Sequence, residues 1–281
     1  MTAPAVLQLK EEKIRLSCGA TLHVRQLQSV PAPAQTWPVL VFLHEALGSV
    51  AMWKDVSERI ARAGGCPVLL YDRLGHGKSD PLPQELNQAD YLDKESGQIL
   101  PELLAACKIE QAVLIGHSDG ATIALMAAAL LPERIRAVVA EAPHLFIEKL
   151  TLEGIRAHGT LTARAAIVAR VAHYHRQPIE PIFNRWQQTW LAEQAPHWNI
   201  ETLMSSVCCP VLGLQGEADE FGTPGQLEAL AARVSGPVTT RLLPDCRHIP
   251  HFQAPQEYQQ EVLQFLARQG FCCAPAGHPP V

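Results

Sequence analysis

The sequence predicts an α/β fold, a mostly parallel eight-stranded sheet with helices on both faces. Three observations carry that prediction. Short apolar runs of strand length recur at Pro38 to Leu43, Pro67 to Tyr71, Ala112 to Ile115, Ile135 to Ala140, Pro210 to Leu214 and Val238 to Leu243. They are continuous rather than alternating, which suits strands buried on both faces, and helix-like stretches separate most of them. Residues 6–28 instead alternate apolar and polar around Cys18-Gly19-Ala20, which predicts an opening antiparallel hairpin.

In chain order, Ser29 to Trp37, with Pro31 and Pro33, reads as a loop before the first continuous strand. That strand ends in His44-Glu45-Ala46-Leu47-Gly48-Ser49, and a helix is expected over Met52 to Ala63. The next strand leads into the glycine-punctuated turn Asp72 to Asp80, and Tyr91 to Cys107 reads as a helix. After the strand at Ile135, strands vanish for some seventy residues: Leu145 to Glu201 is rich in Ala, Arg, Gln, His and Trp at helical spacing, broken by prolines. This interruption predicts a helical insertion covering the C-terminal edge of the strands. The expected organisation is a core of residues 1–143 and 206–270, a cap of 144–205, and a disordered tail of 271–281. A final amphipathic helix is expected from Pro255 to Gln269.

The whole chain excludes several classes. Its net charge is −5, with Lys and Arg outnumbered and scattered, so neither a nucleic acid nor an anionic membrane is an expected partner. The opening residues lack a basic segment followed by an apolar one, and no apolar run reaches spanning length, so the protein is read as cytoplasmic. Four of the eight cysteines stand alone and the others form adjacent pairs, without CxxC spacing, so structural thiols are expected rather than disulfides or a metal centre. His173 and His175 flank Tyr174 without nearby ligands and read as solvated helix residues. No metal or cofactor is called for, and the oligomeric state is left open between monomer and dimer.

The chemistry concentrates at Gly116-His117-Ser118-Asp119-Gly120, between the strand at Ala112 and an alanine-rich helix that stops before Pro132. A serine on such a strand-to-helix elbow is exposed at the top of the sheet and lies at a helix N-terminus, whose free N–H groups favour a developing oxyanion. The serine needs a base, and the base needs an orienting acid. After the strand at Pro210 comes a loop with Glu217, Asp219 and Glu220; after the strand at Val238 comes a loop with His248 and His251. The order Ser, Asp, His is the one an elbow serine requires. Asp219 is preferred to the two glutamates as the acid, and His248 to His251 as the base; His251 is expected to line the pocket.

With GHSDG around Ser118, FLHEALG after the third strand, DRLGHGKSD after the fourth, GEADEFGTP around Asp219 and CRHIPHFQAP around His248, the chain resembles an α/β-hydrolase with a helical cap over residues 6–270. The resemblance implies that the N–H groups of Ala46 and Asp119 form the oxyanion hole. It implies structural roles for His44 and His117 behind the site, and loop-locking roles for Asp72, Arg73 and Ser79, with Lys78 solvated. Two departures stand out: Glu45 and Arg247 replace the glycines usual at those positions. Glu45 is expected near the site mouth, where it would repel anionic substrates.

Phe146, Phe183, Trp186, Trp190 and Trp198 in the insertion, with Phe221 and Phe252, suit an apolar lining; Trp186 and Trp190 lie four apart on one helix face and could equally cement the helices. His144 is a further pocket candidate. The leading expectation is an esterase-like serine hydrolase cleaving a small to medium, largely apolar ester or lactone. The alternatives are a carbon-carbon bond hydrolase of a vinylogous diketone, for which Arg185 could hold a carboxylate, and a slow-turnover ligand receptor.

Overall fold

The computed structural model describes residues 6–30, 37–83 and 89–273. The loop expected at Pro31 and Pro33, and the tail beyond residue 273, lie outside them. Eight strands form one sheet in the order β1-β2-β4-β3-β5-β6-β7-β8. β1 (Val6–Arg15) and β2 (Thr21–Val30) form the expected hairpin, and β2 also runs antiparallel to β4 (Val68–Tyr71). The others, β3 (Val39–Leu43), β5 (Ala112–His117), β6 (Ile135–Glu141), β7 (Val211–Gly216) and β8 (Val238–Leu243), pair parallel, and β3 also pairs parallel with β4.

Every residue of β5 and β7 is buried, as strands covered on both faces must be. One face packs under α3 (Leu100–Ala106), α4 (Asp119–Leu130) and α9 (Gly225–Arg233), through residues such as Leu104, Ile123 and Leu230. The other packs under α1 (Val56–Gly64) and α11 (Pro255–Arg268), through Ile60, Val262 and Phe265. α4 is buried nearly all round, from Asp119 to Ala128, as a helix apolar on every side must be.

Several boundaries differ from expectation. The helix expected over Met52 to Ala63 is split into a 3₁₀ turn, Val50–Trp53, and α1, because Lys54 takes φ 49° and ψ −123°, which no helix accommodates. The stretch from Tyr91 runs as α2 (Tyr91–Lys94), a π turn over Glu95–Ile99 and α3; the wider turn precedes Pro101, which has no N–H to donate. The start of the expected tail is ordered: Cys272 is buried beside Gly64, and the Cys273 N–H donates to the Gly64 carbonyl at 3.0 Å.

Between β6 and β7 lie α5 (Lys149–His158), α6 (Leu161–Val171), α7 (Glu180–Trp190) and the short α8 (Glu201–Met204). His175, read as solvated, instead ties this insertion to the core. It accepts from the Gly77 N–H at 3.0 Å through Nδ1 and donates to the Leu47 carbonyl at 3.1 Å through Nε2. Lys78 is exposed but pairs with Glu11 at 2.9 Å. Among the described residues, no helix is long and apolar enough to cross a membrane.

Candidate active site

Ser118 joins β5 to α4 with φ 54° and ψ −118°, a conformation unfavourable for any residue with a Cβ. The turn is so tight that a Cβ on Gly120 would collide with the Leu43 carbonyl, and one on Gly116 with the carbonyl of Gly120. Both glycines are therefore required by close backbone approach.

This elbow brings Ser118 Oγ within 3.0 Å of His248 Nε2, while His248 Nδ1 lies 2.9 Å from Asp219 Oδ1. All three residues are buried. Burial disfavours the His248 imidazolium, but the Asp219 carboxylate beside it outweighs that cost, and the His248 pKa is raised above its ordinary value. Burial acts to raise the Asp219 pKa, and the neighbouring His248 reverses this to a net lowering.

Each loop is fixed by its neighbours. Asp219 also accepts from the Phe221 N–H at 2.8 Å and from Gln215 Nε2 at 3.3 Å. Gln215 is a site residue that sequence reasoning missed; its signal is a polar side chain at the end of a wholly apolar strand. Gln253 Oε1 accepts from the N–H groups of Arg247 and Ile249 at 3.0 and 3.1 Å, bracketing His248. His117 Nε2 donates to the His248 carbonyl at 2.8 Å. Glu220 points away and pairs with Arg247 at 3.1 Å.

The loop after β3 is held by its carbonyls. Glu45 O accepts from Arg73 at 2.6 Å and from His44 Nδ1 at 2.8 Å, and Ala46 O accepts from His76 at 2.9 Å. In a trans peptide the carbonyl and the next N–H point opposite ways, so anchoring Glu45 O turns the Ala46 N–H away from Arg73 and His44. The Asp119 N–H belongs to the first turn of α4, where N–H groups have no intrahelical acceptor. Ala46 and Asp119 both line the cavity above Ser118. Neither departure from glycine strains the chain: Glu45 and Arg247 are not among the residues with positive φ, and near the base loop that conformation falls on Asp245 (φ 52°). Asp72 fixes the following turn by accepting from the N–H groups of Val50 and Lys78 and from His23, while Ser79 donates to the Asp72 carbonyl.

Ser118 opens into a cavity of about 380 Å³, lined largely by apolar side chains from the core loops and the inserted helices. Trp186 and Trp190 both line it, and Trp190 also serves as cement: its Nε1 donates to the Tyr91 hydroxyl at 2.9 Å, and that hydroxyl donates to the Asp119 carboxylate. Nothing in the sequence marks Tyr91 for this place. Phe221 lies with its ring 4.6 Å from that of His248. His144 lines the cavity beside Trp190, donates from Nε2 to the Phe221 carbonyl at 3.3 Å, and has its pKa lowered chiefly by burial. Glu45 lines the cavity with its carboxyl folded over Gly48 and its pKa raised by burial.

Two expectations are corrected. His251 does not line this cavity: its Nδ1 and N–H both bind the fully buried Glu141 carboxylate at 2.8 Å, which draws it behind the site. Arg185 is not a cavity residue either. Its guanidinium lies 4.6 Å from the Tyr91 ring, beside a separate void of about 20 Å³ shared with Arg73 and Glu95.

The human protein named serine hydrolase BPHL is 26% identical over 213 residues, 71% of this chain and 69% of its own. The 2-succinyl-6-hydroxy-2,4-cyclohexadiene-1-carboxylate synthase of Enterobacter sp. (strain 638) is 31% identical over 153 residues, 54% of this chain and 53% of its own. Among solved structures, the enol-lactonase of Burkholderia xenovorans LB400 superposes with a TM-score of 0.70 at 20% identity, covering 91% of this chain and all of that one. The 2-hydroxy-6-oxo-6-phenylhexa-2,4-dienoate hydrolase of Rhodococcus sp. strain RHA1 does so at 0.74 and 16%, covering 93% of this chain and all of that one. The sequence model of the alpha/beta hydrolase fold matches residues 38–191, more than half of the chain, and the protein belongs to that family.

Proposed function

We propose that the protein is a serine hydrolase that cleaves a carboxylic ester or lactone of a small to medium, largely apolar substrate through an acyl-enzyme. The observation that carries this reading is the run of contacts from Ser118 Oγ to His248 at 3.0 Å and on to Asp219 at 2.9 Å, at the floor of an apolar cavity.

Ser118 Oγ attacks the carbonyl carbon as its proton passes to His248 Nε2. The Asp219 carboxylate, accepting from Nδ1–H, stabilises the imidazolium. The Ala46 and Asp119 N–H groups receive the oxyanion, where a pair of fixed donors favours charge that appears only at the transition state. His248 then protonates the leaving alcohol, activates a water, and the acyl group departs as a carboxylic acid with the proton returned to Ser118. Helices α5 to α7 act as the cap, supplying Trp186 and Trp190 to the acyl or alcohol portion.

The test is steady-state hydrolysis of graded aryl and alkyl esters and lactones by the native chain and by Ser118→Ala. Turnover that disappears with Ser118 and peaks at one acyl size is expected. Absence of Ser118-dependent turnover across the whole set would overturn the reading.

A further inference from the structure

Four side chains that carry charge line the cavity besides its histidines: Glu45, Asp119, Lys54 and Arg170. The two acids are engaged within the protein. The Asp119 carboxylate accepts from Tyr91, and the Glu45 carboxyl is folded over Gly48, with burial opposing its ionisation. The two cations differ from them in every respect. Both are exposed, and among the described residues neither has an ion-pair partner. Asp55, next to Lys54, is taken up by Arg59 at 3.2 Å.

Lys54 is also held in place. Its Nζ lies 4.4 Å from the centre of the Phe252 ring, itself a cavity residue, a distance at which a cation is attracted to the ring face. Its backbone, at φ 49° and ψ −123°, lies within a few degrees of the conformation of Ser118. A glycine would adopt this turn without cost, yet a long cationic side chain occupies it. Such outliers gather where a side chain has to be aimed, and this one aims from the core side of the cavity, while Arg170 comes from the last turn of α6 on the other. The same cavity wall carries the apolar side chains of Met52, Ile167, Val171 and Phe252. A protein of net charge −5 thus presents, on the wall of its candidate site, two exposed cations without an ion-pair partner among the described residues.

We propose that Lys54 and Arg170 receive a carboxylate on the substrate, so that the substrate is an amphipathic ester with its scissile carbonyl at Ser118, an apolar middle, and an anionic group at the far end. The proposal rests on the ester hydrolase reading of Ser118 and adds the charge of the substrate to it. It reverses the expectation that Glu45 sets the field at the mouth.

The test separates binding from turnover. The Ser118→Ala variant is titrated calorimetrically with 4-(hexanoylamino)benzoate and with its uncharged match, 4-(hexanoylamino)benzamide. Two exposed cations at low salt are expected to make the benzoate bind on the order of tenfold tighter. In 0.5 M NaCl the ratio shrinks, because the charges are screened. Lys54→Met and Arg170→Met each lower the ratio, and together bring it to about one. Equal binding, tighter binding of the benzamide, no saturable binding of the benzoate, or a preference that survives in the double variant would each overturn the proposal. Hydrolysis of neutral phenyl hexanoate by the native chain distinguishes the two failures. Ser118-dependent turnover with a binding ratio of one removes the anionic-substrate proposal alone. No Ser118-dependent turnover of either phenyl hexanoate or 4-(hexanoyloxy)benzoate removes the hydrolase reading itself.

Discussion

Replacing Tyr91 by Phe probes the link between the elbow and the inserted helices. The ring, its packing and the backbone stay; only the hydroxyl goes. That hydroxyl donates to the Asp119 carboxylate, which is 2% exposed, and accepts from Trp190 Nε1 at 2.9 Å. Losing a hydrogen bond to a buried charge costs about 1.5–3 kcal/mol, and an orphaned buried indole N–H adds about 1–3 kcal/mol, so the expected loss is about 4 kcal/mol. With a melting entropy of roughly 2.1 cal/mol/K per residue, the 281 residues give about 0.6 kcal/mol/K, and Tm falls by about 7 °C. Denaturant titration and thermal melting followed by circular dichroism measure this directly. A double-mutant cycle with Trp190→Phe isolates the contact, because the lost indole volume cancels; a coupling of about 0.5–3 kcal/mol is expected. A loss under about 1 kcal/mol together with zero coupling would refute the idea that Tyr91 joins Asp119 to the inserted helix.

Three further outcomes follow from the same geometry. The proposed mechanism needs neutral His248, whose pKa is raised because Asp219 outweighs burial, so kcat/KM should climb with pH through a midpoint above the ordinary histidine value of about 6.5; a midpoint below it in the pH profile would contradict the pairing. His117 is pushed down to about 3 by burial, against the pull of Glu141, so the unfolded chain takes up this proton first. Its contribution is therefore lost as pH falls from 6.5 towards 3, amounting to about 2 kcal/mol at pH 5, and His44 and His76, also lowered chiefly by burial, act in the same direction; stability by urea titration that is flat between pH 7 and 5 would refute it. His251→Phe leaves the buried Glu141 carboxylate without its imidazole partner and should cost about 3 kcal/mol in a thermal melt without changing KM, whereas a KM effect with unchanged stability would return His251 to the substrate pocket.

The sequence by itself determined the fold class and the elbow, because both are local patterns. A run such as Ala112 to Ile115 is apolar on both faces, β-branched and too short for a helix, which reads as a covered strand, and glycines two residues either side of Ser118 announce a close approach of backbones. It also ordered the acid and base loops, since each follows a strand that could be read from composition alone. It did not determine which polar groups meet across those loops. Gln253 and Tyr91 are unremarkable in the chain, and with Gln215 they become partners of the loop at His248, of Asp119 and of Asp219 only because the fold brings α10 (Pro250–Gln253), α2 and β7 to these groups. The same holds for the readings that had to be revised. His251 is a plausible pocket residue until the buried charge of Glu141, 110 positions away, claims its ring. His175 is a plausible surface residue until two core loops close on it. The positive φ at Lys54 that separates the 3₁₀ turn from α1 is likewise seen only in the structure. Periodicity reports which face of an element is buried; the identity of the partner depends on how distant elements pack, and that is decided only in three dimensions.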